Sequence, residues 1–155
     1  MIYIFDTCVL INIFRHYYQE CFPSFWQNFE NYVKKGIITS VREVKNEIEK
    51  RDDILKEWIK MNPSFFTEPT PDEMLFIRNI YEIKHFQASL SQKKLLSGGP
   101  FADPFIIAKA KIESATVVTS EKNAPNSAKI PNICKHFDVL CCGFDDFLRK
   151  EQWKF

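Results

Sequence analysis

The sequence predicts an α/β fold of three layers, in which helices cover both faces of a mostly parallel central sheet of four to five strands. Apolar residues make up 45% of the chain and charged residues 26%, a balance typical of globular proteins. The length of 155 residues suits one domain, spanning residues 1–155. Strand-like and helix-like segments alternate along the chain, the order expected of parallel strands joined by right-handed helical crossovers.

The first third of the chain shows two strand patterns and three helix patterns. Ser40 and Glu43 have the spacing of a capping box, which predicts that a helix begins there. Proline favours the first turn of a helix and glycine its end. In chain order, these signals predict a strand at residues 2–5, a helix from Val9 to about Tyr17, a helix between Pro23 and Gly36, a strand from Ile37 and a helix to about Arg51.

The remainder of the chain continues the alternation. Thr70 and Glu73 form a second capping box, opening a long helical region that Gly98, Gly99 and Pro100 break. Asp103 and Pro104 are typical of an N-cap followed by the first helical residue. The predicted elements that follow are a helix over FIIAKAKIE, a strand at TVVTS, a polar loop at 122–129, a short helix at 131–137, a strand at 138–141 and a last helix.

Four acidic residues follow predicted strands or lie near the start of the helices after them. They are Asp6, Glu47, Asp103 and Glu121. Ligands of open parallel sheets bind beyond the carboxyl ends of the strands. Carboxylates suit hard ions such as Mg²⁺ or Mn²⁺, and four of them formally offset two divalent ions. Simpler interpretations stay open, because Asp6 and Asp103 are also ordinary helix caps and Glu121 suits a solvated loop.

Four segments containing these acids resemble motifs of PIN domains. FDTCVLI is similar to the opening motif, TSVREVKNEIE to the segment with the second acid, ADPFIIAKA to the third motif and VVTSE to the fourth. The resemblance extends from Ile2 to about Leu148. Glu121 stands where an Asp is common, and the segments KIPNICKHF and VLCCGFDDFLR indicate a less studied PIN-like bacterial family of unassigned function.

The resemblance implies a metal-dependent endoribonuclease that hydrolyses RNA and leaves a 5′-phosphate. It also implies the toxin of a toxin–antitoxin pair, with RNA as substrate, an antitoxin as partner and homodimers as a common assembly. Asp6, Glu47 and Asp103 would bind one Mg²⁺ or Mn²⁺ ion, and Glu121 would help to bind a second. Surrounding residues are assigned secondary roles: Thr7, Thr119 and Glu43 would orient the ligands, and Lys122 and Lys129 would bind RNA.

Other functions fit the sequence less well. A haloacid-dehalogenase-type phosphatase needs a second Asp where this chain has Cys8, and a receiver domain needs an acidic pair near its first strand. Cys134, His136, Cys141 and Cys142 have no zinc-knuckle spacing. The serious alternative is a catalytically weak or inactive PIN-like module that binds a protein partner.

Charge, apolar patterning and cysteine content indicate the compartment of this protein. The net charge of +1 gives no bulk attraction to nucleic acid, so such binding depends on local patches. The apolar N-terminus contains Asp6 and lacks a basic segment before it, which is unlike a signal peptide. No segment approaches the length of a membrane span. The five cysteines are odd in number and irregularly spaced, so we expect a reduced, cytoplasmic protein with no membrane association.

Two further expectations concern packing and charge. Apolar residues of the helical region after Pro71 cover more than one helix face, which indicates either part of a protein interface or a helix buried on two sides within the monomer. They are Met74, Ile77, Ile80, Tyr81, Ile83 and Phe86. Four converging carboxylates repel one another, so we also expect a raised pKa for at least one of them without metal.

Overall fold

The centre of the molecule is a five-stranded sheet. The computed structural model describes residues 1–51, 54–97 and 101–155. The strands of this part are β1 (Tyr3–Phe5), β2 (Ile38–Val41), β3 (Phe66–Thr67), β4 (Thr116–Val118) and β5 (Leu140–Cys142). Their order is β3-β2-β1-β4-β5, and every neighbouring pair is parallel. The prediction of a mostly parallel sheet is confirmed.

Helices connect these strands and cover both faces of the sheet, giving the three predicted layers. The described residues form α1 (Thr7–His16), α2 (Pro23–Lys34), α3 (Arg42–Arg51), α4 (Ile54–Met61), α5 (Pro71–Glu82), α6 (Lys84–Ser97), α7 (Asp103–Glu113), α8 (Ile130–His136) and α9 (Phe144–Lys150), with a 3-10 turn at Pro63–Phe65. The connections follow the pattern of a doubly wound α/β fold. None of the helices in these residues has the length and apolar character that a membrane crossing requires.

The order of the strands reverses at β1. The chain adds β2 and β3 on one side of β1 and then returns to place β4 and β5 on the other side. Tyr3 is paired with Ile38 of β2 and with Thr116 of β4. A reversal of this kind opens a crevice at the carboxyl ends of the central strands, where ligands of such sheets bind.

Aromatic side chains form much of the core. Tyr3, Phe5, Phe25, Phe29 and Phe147 are fully buried. The rings of Tyr3 and Phe5 lie 4.8 Å and 5.3 Å from that of Phe147, both close to perpendicular. Edge-to-face pairs add about 0.5–1.5 kcal/mol each to the free energy of burial. The many phenylalanines therefore fix β1 against the helices on one face of the sheet.

The prediction of a capping box at Ser40 and Glu43 is wrong. Ser40 belongs to β2, and its buried hydroxyl donates to the main-chain oxygen of Phe5 at 2.6 Å. Glu43 instead accepts a hydrogen bond from its neighbour Arg42 at 2.8 Å. The pairing of β2 continues to Val41, so the chain is still extended where the box requires a helix start. The second box is half formed, because Thr70 accepts from the main-chain N–H of Glu73 at 3.2 Å.

The predicted long helical region consists of two helices. Extended backbone at Ile83 separates α5 from α6, although no proline or glycine stands there. The predicted break at Gly98, Gly99 and Pro100 lies outside the described residues. Ile77, Ile80 and Phe86 are buried within the monomer, so the interface predicted for them is wrong. Met74 remains exposed.

Strand and helix limits differ from the predictions where the local backbone decides them. Asp138 has a positive φ of 54°, a turn conformation that prevents the last strand from starting there. That strand begins at Leu140 instead. Helix α1 starts at Thr7, two residues earlier than predicted. The short strand β3 has two residues and no apolar alternation, so periodicity does not predict a strand there.

Candidate active site

A pocket of about 300 Å³ lies at the carboxyl edge of the sheet, beside the reversal at β1. The structure brings all four predicted acids to its wall. The residues that line it are Asp6, Thr7, Cys8, Glu47, Lys93, Leu96, Phe101, Asp103 and Glu121. Four separate stretches of the chain thus contribute a carboxylate to one small cavity.

Asp6 is the most buried of the four acids. It directly follows β1 and is 4% exposed. Its Oδ2 accepts a hydrogen bond from Thr119 Oγ1 at 2.9 Å. Asp6 occupies the predicted N-cap position of α1, but its side chain forms no capping hydrogen bond with the described residues of that helix, so capping alone does not explain its carboxylate. Burial and repulsion from Asp103 raise the pKa of Asp6 to about 7, although the Thr119 hydrogen bond opposes the rise.

Glu47 connects three elements around the pocket. It lies on α3, and its Oε2 accepts a hydrogen bond from Thr7 Oγ1 at 2.6 Å, at the start of α1. Its Oε1 accepts from the main-chain N–H of Ala102 at 2.9 Å, directly before α7. These two donors fix the orientation of the Glu47 carboxylate.

Asp103 is the first residue of α7, with Ala102 as the N-cap, so the predicted capping position of Asp103 is wrong by one residue. Its Oδ2 accepts a charged hydrogen bond from Lys93 Nζ at 3.2 Å. Burial raises the pKa of Asp103 to about 6, Lys93 opposes the rise, and repulsion from Glu121 adds to it. The expectation that at least one acid of the cluster has a raised pKa is confirmed for Asp6 and Asp103.

Glu121 organises the segment that follows β4. Its Oε2 accepts a hydrogen bond from the main-chain N–H of Ile130 at 2.8 Å, the first residue of α8. Its own main-chain N–H donates to Thr119 Oγ1 at 3.1 Å. Thr119 therefore contacts both Asp6 and Glu121. The interpretation of Glu121 as a solvated loop residue is wrong.

Thr119 contacts Asp6 without lining this pocket, and three other predicted residues also lie outside its lining. Glu43 is buried beside Arg42, and its Oε2 has no hydrogen-bond partner among the described residues. Lys122 is exposed and lines a neighbouring groove together with Glu121. Lys129 is exposed and precedes α8. The roles assigned to these three residues stay predictions.

The comparisons with known proteins agree with this architecture. A family model described as "Domain of unknown function (DUF4411)" matches residues 3–155. The chain belongs to the DUF4411 family. A search of curated proteins finds no match.

Among solved structures, the DUF4411 chain is similar to one titled "Crystal structure of VapBC2 from Rickettsia felis bound to a DNA fragment from their promoter". The TM-score is 0.51 at 19% sequence identity, and the alignment covers 94% of this chain and 100% of that chain. At this identity the similarity shows the fold. The predicted PIN-like fold and the predicted family of unassigned function are confirmed.

The pocket of this DUF4411 chain has the donor chemistry of a site for a hard divalent cation. Its acids supply carboxylate oxygens, and the raised pKa values of Asp6 and Asp103 show that negative charge there is costly without a cation. Among the described residues, however, no group of three or more His, Cys, Asp or Glu side chains has the arrangement of a metal site. The donors fit Mg²⁺ or Mn²⁺, and binding requires the side chains to move.

The same observation gives no support to zinc binding by the four residues Cys134, His136, Cys141 and Cys142. Cys134 is buried, and a hydrogen bond with Cys141 together with burial raises the pKa of its thiol. A thiol that keeps its proton is a poor zinc ligand.

Among the described charged residues that line the pocket, Lys93 is the one that the sequence did not predict. Its Nζ contacts Asp103 Oδ2 at 3.2 Å and the main-chain oxygen of Ala128 at 3.4 Å. It lies in the middle of a helix, ten residues before Asp103, and no motif marks it. The charge of the surrounding sequence is a usable signal, since residues 83–102 contain lysines and no acidic residue.

Proposed function

We propose that this DUF4411 protein is an endoribonuclease that depends on Mg²⁺ or Mn²⁺ and hydrolyses RNA phosphodiester bonds. The observation that carries the proposal is the convergence of Asp6, Glu47, Asp103 and Glu121 on one pocket at the carboxyl edge of a PIN-like sheet. Residues 1–155 act as a single PIN-like domain in this proposal, supported by the family match over 3–155.

The four acids have distinct tasks. Asp6, Glu47 and Asp103 bind the first ion, and Glu121, with Asp103, helps to bind a second. When bound, Mg²⁺ or Mn²⁺ activates water for in-line attack and offsets charge on the phosphodiester. Asp6 must lose its proton before it binds a cation, because burial keeps its pKa near 7.

Neighbouring residues hold the acids in place. Thr119 donates to Asp6, and Thr7 donates to Glu47. Hydrogen bonds of this kind orient carboxylates and typically change metal affinity or activity by about 10–100-fold when removed. Lys93 neutralises Asp103 and must release it, or share it, when a cation binds.

We further propose that the protein is a cytoplasmic toxin whose partner is an antitoxin protein, with a homodimer as its assembly. The support is the PIN-like fold shared with VapBC2, a toxin–antitoxin complex. A short reading frame that overlaps the gene upstream and encodes a DNA-binding or disordered protein is the genomic observation expected from this proposal. Lys122 and Lys129 bind the RNA backbone in the same proposal.

One observation favours a second candidate function, a PIN-like module that binds a protein without cleaving RNA. Lys93 already occupies an oxygen of Asp103, and the described residues contain no preset metal group. If Lys93 does not release Asp103, the pocket is a buried ionic cluster with a structural task.

The deciding experiment incubates the purified protein with end-labelled single-stranded RNA, in Mn²⁺ and in EDTA. We expect cleavage that requires Mn²⁺, yields 5′-phosphate ends and disappears in Asp6→Asn. The matched control is Asp138→Asn. Asp138 is exposed and has a left-handed backbone conformation, which asparagine also adopts readily. Cleavage that persists in EDTA or in Asp6→Asn contradicts the proposal, and a folded protein that binds Mn²⁺ without cleaving RNA supports the binding module.

A further inference from the structure

Positive charge is concentrated in two segments of this nearly neutral chain. Residues 84–102 and 122–137 together contain six lysines and two of the three histidines, and no Asp or Glu. The remaining 15 Lys and Arg residues stand against all 20 Asp and Glu residues, so the rest of the chain has a formal net charge of −5. Segregation of this kind marks a binding surface for an anionic partner even when the total charge is near zero.

The fold places the two segments side by side. Lys93 of α6 donates to the main-chain oxygen of Ala128, and the ring of Phe86 lies 5.3 Å from that of His136 and 6.4 Å from that of Phe137. We call the surface formed by α6 and residues 122–136 the basic face. Lys84, Lys129 and Lys135 are exposed on its elements.

The basic face is continuous with the carboxylate pocket. Lys93 lines that pocket and contacts the 122–129 loop through Ala128. Glu121 lines both the pocket and a groove of about 600 Å³ that also contains Lys122 and Lys135. An anionic chain on this face therefore has a direct path to the four acids.

The groups of the face suit an unpaired nucleic acid strand. A second groove of about 610 Å³ between α6 and α8 contains His85, His136 and Lys135 together with polar side chains. Both imidazoles are exposed, and His136 packs edge-on against the buried ring of Phe86. Flat rings placed among lysines bind single strands, because bases stack on the rings while the ammonium groups contact phosphates.

We propose that the basic face binds single-stranded RNA and leads the strand over Lys93 into the carboxylate pocket. Phosphates contact Lys84, Lys122, Lys129 and Lys135, and bases stack on His85 and His136. This inference rests on the proposed ribonuclease function and specifies where the substrate lies outside the cleavage site.

The test measures binding of a labelled single-stranded RNA oligonucleotide by fluorescence anisotropy, in EDTA so that no cleavage occurs, over a range of salt concentrations. The first variant is the triple substitution Lys84→Gln, Lys129→Gln and Lys135→Gln. Each phosphate contact to a single strand contributes about 0.7 to the slope of log affinity against log salt. We expect the slope to fall by about 2 and the affinity to fall about tenfold or more.

The matched control substitutes three exposed lysines, two at the C-terminal end of α2 and one in α3, in the same way: Lys34→Gln, Lys35→Gln and Lys50→Gln. We expect it to keep the wild-type affinity, although it loses the same total charge. The stacking part is tested by His85→Ala with His136→Ala, for which we expect about a fivefold or greater loss of affinity. Its control is His16→Ala, the third histidine, exposed at the end of α1.

The outcomes separate this inference from the proposed function. If wild type cleaves RNA with Mn²⁺ but the two triple variants bind RNA with the same affinity, the proposal for the basic face is wrong and the nuclease proposal stands. If the first triple variant alone loses RNA affinity and wild type cleaves nothing, the face is supported and the nuclease proposal fails. Equal binding of a duplex or of polyglutamate, a mimic of an acidic protein, overturns the assignment to single-stranded RNA, as does a wild type that binds no RNA.

Discussion

The carboxylates near the two ends of β1 have opposite surroundings. At its start, the hydroxyl of Tyr32 donates to Glu151 at 2.8 Å, and the hydroxyl of Tyr3 donates to the other oxygen of the same carboxylate. Burial and Glu151 raise the pKa of Tyr3, so its hydroxyl stays protonated and remains a donor. Beyond the end of β1, four carboxylates share one pocket, and Lys93 is the one lysine among the described residues that line it.

This difference separates a structural acid from the acids of the candidate site. Neutral donors satisfy Glu151, whose hydrogen bonds tie the chain after α9 to β1 and α2. The pocket acids also accept hydrogen bonds, but their charges add. Burial raises the pKa values of Asp6 and Asp103, repulsion from Asp103 adds to the rise for Asp6, and repulsion from Glu121 adds to it for Asp103. A cluster whose charge is costly in the folded chain is typical of a functional site.

The largest expected difference between the two ends is in catalysis. Asp103→Asn should lower the rate of Mn²⁺-dependent RNA cleavage by about a thousandfold, because it removes a charge that holds the catalytic ion. Glu151→Gln should leave the rate near that of wild type and lower only the melting temperature. The measurement is single-turnover cleavage at saturating Mn²⁺. Equal losses of cleavage rate in Asp103→Asn and Glu151→Gln would contradict the distinction between the pocket acids and Glu151.

The second difference is in metal-dependent stability. Millimolar Mn²⁺ should stabilise wild type by about 2.7 kcal/mol at a hundredfold excess over Kd, which is a rise of roughly 5–10 °C in melting temperature. Asp6→Asn should keep or raise the metal-free melting temperature and lose most of the Mn²⁺ shift. Glu151→Gln should keep the full shift. Thermal melts in EDTA and in Mn²⁺ give all three values, and identical shifts in wild type and Asp6→Asn would remove Asp6 from the site.

The third difference is in pH dependence. The folded pKa of Asp6 is about 7, and its unfolded value is about 3.9, so the folded state binds the extra proton between these values. This contribution to stability is complete below about pH 4 and is lost as the pH rises through about 7. Without metal, the free energy of unfolding should therefore fall by about 1–3 kcal/mol from pH 5 to pH 8. Urea unfolding in EDTA measures it, and an equally steep fall in Asp6→Asn would assign the effect to other groups.

The smallest expected effect concerns Lys93. Its side chain is about a third exposed, so its pair with Asp103 is partly screened and contributes only about 1 kcal/mol. Lys93→Met should strengthen Mn²⁺ binding by about threefold to tenfold, because it removes a cation that competes for Asp103. Lys93→Arg should bind Mn²⁺ like wild type. Calorimetric titration distinguishes them, and weaker Mn²⁺ binding by Lys93→Met would show that this lysine supports the ion.

Local signals were enough to place the four acids, and contacts between distant segments were not predictable. Asp6 and Asp103 stand at a strand end and a helix start, positions that short-range patterns reveal. Lys93 reaches Asp103 only because α6 packs beside α7 and beside the loop at Ala128, a geometry that no spacing encodes. The contribution of Lys93 to the pocket is therefore seen only in the tertiary structure.

The same limit explains the errors in the fold. Ser40 has the residue type of a helix cap, but the oxygen of Phe5 on the neighbouring strand accepts its hydroxyl hydrogen, so tertiary pairing replaces the local bond. Ile83 interrupts a helical pattern without a proline or glycine to announce it. The parallel sheet itself was predictable, because the alternation of strands and helices extends over the whole chain.

The hydrogen bond between Glu121 and Ile130 closes a ring around residues 122–129. Asn132 also fastens this ring, through two hydrogen bonds with Ala124. Lengthening a closed loop costs little, about 0.6 kcal/mol for each doubling, so its interior tolerates insertions while its two ends stay fixed. Descendants of this gene can therefore diverge in the loop that borders the pocket while inheriting the four acids unaltered.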